Sequence, residues 1–135
     1  MAWWQSQSSL AGLSDALDEF ITAVLMNTEE RYLRNGAHER LAQRFVYGAV
    51  GYLADYDGLD TAQTQALLQS KMNQHFQVDQ DDFVKLKAEV KALSQSDEDY
   101  SFLVEGARAL QRWINGRDRM NASLTLNTLL KDRIN

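Results

Sequence analysis

A chain of 135 residues, 44% hydrophobic and 24% charged, has the length for one core and a globular composition, which excludes an intrinsically disordered protein. With no cysteine, disulfides, thiolate zinc sites and thiol nucleophiles are excluded; with no proline, helices are favoured over an all-β fold, because a helix interior tolerates proline least. The net charge of −5 disfavours non-specific binding to nucleic acid, although residues 101–135 carry 6 basic side chains against 3 acidic ones.

The start, Met1-Ala2-Trp3-Trp4-Gln5, lacks the basic and apolar regions of a secretory signal, and no later stretch approaches the roughly 18 apolar residues of a membrane span. A cytoplasmic protein with no membrane partner is expected. The first predicted helix places Leu10, Leu13, Leu17, Phe20, Ile21, Val24 and Leu25 on one face. Asn35-Gly36 is its expected stop, with Gly36 left-handed at the end and a new helix beginning near Ala37.

The second helix carries Leu41, Phe45, Ala49, Tyr52, Leu53 and Tyr56, with Gly48 and Gly51 beside that stripe. Each interior glycine costs about 1 kcal/mol relative to alanine, so a close neighbour is expected there. Asp57-Gly58 closes this helix, and Asp60 with Gln63 forms a capping pair for the third, which carries Ala62, Leu67, Leu68, Met72 and Phe76. Asp79 caps the fourth, with Asp81 and Asp82 in the first turn, where the helix dipole favours them, and Val78 as a staple onto Phe83. Its buried stripe is Phe83, Leu86, Val90 and Leu93.

Ser96, followed by Asp97, Glu98 and Asp99, opens the fifth helix, with Leu103, Ala107, Leu110 and Ile114 inside and Asn115-Gly116 as its stop. A sixth, shorter helix follows, capped by Asn121 and anchored by Leu126, Leu129, Leu130 and Ile134. No linker divides residues 1–135, so the expectation is one all-α domain, a bundle of about six helices joined by short turns.

Residues 52–60 and 110–118 both end in Asx-Gly-x-Asp, an internal echo that two glycine-capped corners explain as well as a repeat does. The phrase Ala54-Asp55-Tyr56-Asp57-Gly58-Leu59-Asp60, followed by an amphipathic helix, resembles the Ala-Asp-Gly corner of TerB-like (tellurite-resistance) helical domains. The resemblance covers about seven residues plus the helix order. Gln63 or Gln65 stands where that family carries a glutamate, and Asn115-Gly116 replaces its second Asp-Gly corner. It implies a compact helical domain that binds metal or protein partners through acidic corners, without enzymatic activity.

Asp55, Asp57 and Asp60 bring carboxylates together at a spacing suited to a hard cation, but no twelve-residue loop ending in glutamate follows, and helix capping accounts for them better. The two histidines, His38 and His75, are too few for a histidine-rich metal site; His75 is the better ligand candidate. Arg31, Arg34, His38, Arg40 and Arg44 form a basic corner interrupted by Glu29, Glu30 and Glu39, which favours a solvated surface of neutralised pairs.

Arg108, Arg112, Arg117 and Arg119 surround Trp113, the mixture of cation and aromatic ring that single-stranded nucleic acid uses; Trp113 is equally suited to the core. Trp3 and Trp4 expose too much apolar area to stay in water, and dock on the bundle or on a partner. No GxGxxG, P-loop, GxSxG or HExxH run occurs, so no cofactor is expected and the reading is non-enzymatic. A protein-interaction or adaptor module, acting on a protein partner or as a homodimer, comes first. A nucleic-acid-associated or nucleic-acid-mimicking protein and a divalent-metal-binding stress protein are the alternatives.

Overall fold

In the computed structural model the described residues are 7–32, 36–56, 62–114 and 124–130, with side chains described outside 7–11, 27–38 and 55–56. They form α1 (Gln7–Tyr32), α2 (Gly36–Tyr56), α3 (Ala62–Phe76), α4 (Gln80–Leu93), α5 (Asp97–Ile114) and a short α6 (124–130), and among them there is no strand. None of these helices is long and apolar enough to cross a membrane.

The order of apolar residues dictates which faces meet. α2 is central and packs against α1, α3, α4 and α5. Its most extensive partner is α5, whose buried stripe runs Phe102, Leu103, Gly106, Ala107, Ala109, Leu110 and Trp113. The two helices interlock through missing side chains: a Cβ on Gly48 would overlap the Leu103 methyl groups, and one on Gly106 would lie 2.7 Å from Phe45 Cε1. Close approach thus explains the glycine at 48, and the matching notch at Gly106 escapes a search for periodicity. Gly51 differs, with nothing nearer than the Tyr47 ring at 4.0 Å.

Aromatic rings fill the centre of this interface. Phe45 stacks on Phe20 of α1 at 5.8 Å and lies 4.8 Å from Phe102 of α5, while Trp113 meets Phe20 edge-on at 5.7 Å. Offset and edge-to-face geometries favour such pairs beyond the area they bury. Leu126 and Leu130 of α6 are fully buried in the same core.

The helix ends follow local chemistry. Asp79 is the N-cap of α4, accepting a hydrogen bond from Asp82 N at 2.8 Å, and Ser96 Oγ accepts one from Asp99 N at 3.4 Å at the start of α5. Both match the sequence expectation. Between α3 and α4 the chain reverses without glycine: Gln77 takes the left-handed conformation (φ 60°) and donates its N–H to Asn73 O at 2.9 Å, while Asn73 Nδ2 donates to Val78 O at 3.2 Å. Gly36, expected to end the first helix, instead opens α2, four residues after Tyr32.

Candidate functional site

Several residues singled out from the sequence lie outside what is described: Trp3, Trp4, Asp57, Asp60, Arg117, Arg119 and the side chain of Asp55. Arg108 is exposed and pairs with Glu105 one turn back at 2.8 Å, and Arg112 is exposed as well. Trp113 belongs to the core. Only 6% exposed, it follows Gly106 and Leu110 on the face of α5 that meets α1, so it offers the arginines no open aromatic platform. Among the described residues no three His, Asp or Glu side chains converge on a point where a metal ion could sit.

Of the basic corner, Arg40 and Arg44 tie α2 to α4, while the side chains of Arg31, Arg34 and His38 lie outside the described residues. Arg40 grips Glu89 with two nitrogens, one being Nε at 3.1 Å from Oε1, and reaches Asp82 at 3.2 Å and Gln43 at 2.8 Å. Arg44 holds the same Glu89 Oε1 from Nε at 2.8 Å and Nη2 at 2.6 Å. The Arg40 hydrogen bonds, opposed by partial burial and reinforced by Arg44, hold the Glu89 carboxyl down to about 2. Planar forks of this kind join helices more firmly than exposed lysine pairs do.

A second polar cluster joins α1 to α3. Asp18 accepts from Lys71 Nζ at 2.8 Å and faces His75 Nε2 at 2.8 Å. Burial raises the Asp18 carboxyl, but the hydrogen bonds and charges of His75 and Lys71 outweigh it and leave the group below its usual value. With Asp18 ionised, His75 Nε2 carries the proton and donates. His75 is therefore a structural partner of Asp18.

A concavity lies elsewhere, between α2, α4 and α5, with Gln65 of α3 also in its lining. It has a volume of about 600 Å³ and is half open to solvent. Tyr47, Gly48, Gly51, Val90 and Leu103 line it, and the open space over Gly51 makes that residue its floor. Tyr52 and Tyr100 meet edge-on at 5.7 Å across one end, and burial followed by the hydrogen bond to Tyr100 raises the Tyr52 hydroxyl. Lys87 and Lys91, one turn apart on α4, stand on the rim with Ser94. Neither lysine has a carboxylate partner among the described residues.

No described residue lining the cleft is a histidine or a carboxylate. What the lining side chains supply is aromatic surface, hydroxyls and positive charge. Compared with models of protein families, with curated proteins and with solved structures, the chain gives no match.

Proposed function

We propose that the chain is a cytoplasmic, non-enzymatic protein-interaction module that holds a segment of a partner protein in the cleft between α2, α4 and α5. The observation that carries this reading is the floor at Gly51, where bare helix backbone lies between tyrosine rings and a Cβ would meet nothing closer than Tyr47 at 4.0 Å. An interior glycine that no close neighbour requires costs helix stability of about 1 kcal/mol, and room for a guest accounts for it. Drug-sized ligands are usually enclosed over most of their surface. A cleft half open to solvent, with Tyr100 43% exposed at its end, suits a chain segment that passes through it. The TerB-like resemblance at residues 54–60 agrees with a binding role.

The test uses Gly51→Leu, which fills the floor from a position that faces away from the packed core. Random peptides displayed on phage are sorted on the wild-type protein and on this variant. Peptides held by wild type and weakened about tenfold or more on Gly51→Leu, a loss of about 1.4 kcal/mol, support the reading. Peptides that bind both proteins alike, or the absence of binders, overturn it.

A further inference from the structure

We infer that the segment taken by this cleft is acidic, its carboxylates held by Lys87 and Lys91 while an adjoining apolar or aromatic side chain sits on Gly51 between Tyr47 and Tyr52. The inference rests on the interaction-module reading and adds the chemistry of the partner. It starts from how the chain uses its other cations. Arg40 and Arg44 share Glu89, Lys71 holds Asp18, and Arg108 holds Glu105, while Lys85 and Arg112, which do not line the cleft, also stand without a carboxylate among the described residues. Carboxylates are abundant, 19 against 14 lysines and arginines, yet Lys87 and Lys91 face the cleft without one among the described residues.

Their spacing sharpens the point. Like charges at i and i+4 on a helix repel, and no residue three or four positions from either lysine on α4 is acidic. Glu89 lies between them in sequence but faces the opposite side, committed to Arg40 and Arg44. The two lysine positions lie about 6 Å apart along the helix axis, a spacing from which their side chains reach neighbouring carboxylates of an extended or helical segment. Beside them Val90, Leu103 and the tyrosine rings give the apolar part of that segment a place to lose water. The hydroxyls of Ser94 and Tyr100 extend the polar rim.

The overall charge of −5 repels an acidic partner at long range, so attraction must come from this local pair. Affinity then falls as salt rises through the range in which exposed charges are screened. A single-stranded nucleic acid also offers negative charge and stacking faces, and it is the competing outcome of the test.

The experiment examines the peptides that depend on the open floor at Gly51, and measures them against Lys87→Glu/Lys91→Glu and Lys87→Ala/Lys91→Ala, both at exposed positions. Folding is checked by circular dichroism, and the alanine pair serves if the reversed pair is unstable. The expected result is enrichment of Asp and Glu next to an apolar or aromatic residue, with binding weakened about tenfold or more by charge reversal and weakened by salt. Floor-dependent peptides with no acidic bias, or with affinity unchanged by the lysine variants, overturn this inference and leave the interaction module standing. The absence of floor-dependent peptides overturns both. An oligothymidylate that binds more tightly than the enriched peptides, and is lost on the same charge reversal, assigns the lysines to a phosphate backbone and overturns the acidic-peptide assignment.

Discussion

Gly51 and Gly106 sit in helix interiors, and the difference between them is what a methyl group would meet. Alanine at 51 adds helix propensity at no steric cost, so Gly51→Ala is expected to raise stability by about 0.5–1 kcal/mol in urea melts. Alanine at 106 lies 2.7 Å from Cε1 of Phe45, a ring fully buried between Phe20 and Phe102. There the strain of overpacking exceeds the gain in propensity, and Gly106→Ala is expected to destabilise by about 1–2 kcal/mol. Equal effects at the two positions would contradict the interlocked α2–α5 interface. Gln77 gives a third test at this scale. A left-handed non-glycine residue costs about 1–2 kcal/mol, and its φ of 60° suits glycine, so Gln77→Gly is expected to raise the melting temperature. The sequence does not announce this turn, because the Asn73 side chain and the Asn73 carbonyl hold it from within α3. Asp79 is the opposite case: a capping residue ahead of two more aspartates is legible from sequence, and the structure places its oxygen 2.8 Å from Asp82 N.

At the scale of elements, α2 is joined to α4 mainly by charge at one end and by aromatic packing at the other. Glu89 binds Arg40 and Arg44, while Tyr47 lies 5.3 Å from Phe83. The Glu89 carboxyl falls from its ordinary 4.5 to about 2 in the folded chain, so the unfolded state takes up its proton first as pH drops. The stabilisation is therefore fully present above about pH 4.5 and is lost as pH falls towards 2. Asp18, also lowered, contributes with the same sign. Glu89→Gln leaves Arg44 without its carboxylate and Arg40 with Asp82 alone, and is expected to cost about 1–3 kcal/mol at neutral pH. It also flattens the pH dependence across that window, measured by denaturant melts along an acid series; an unchanged slope would contradict the Glu89 tie. All six helices and most of their buried stripes were legible because burial leaves a helical period in the apolar residues. The pairing of Arg40 with Glu89, 49 positions apart, was not, because charge carries no period and its partner is chosen by packing.

For the whole molecule, the sequence supports an all-α bundle, and the structure adds the cleft between α2, α4 and α5. Trp113 illustrates what sequence leaves open. An aromatic residue flanked by arginines reads as core or as platform until the face of α5 that meets Phe20 is known. The cleft was hidden for a related reason. Its lining comes from α2, α3, α4 and α5, and no local pattern unites Gly51, Tyr100 and the two lysines. A lysine pair one turn apart with no acidic residue three or four positions away on the same helix was the one local signal available. The most direct test is a magnetic-resonance titration of isotope-labelled protein with the most strongly enriched acidic peptide. Amide shifts concentrated at Gly48, Gly51, Tyr52, Lys91 and Tyr100 are the predicted result. Shifts concentrated instead around Met26 and Leu124, which lie exposed outside the cleft, would contradict the account.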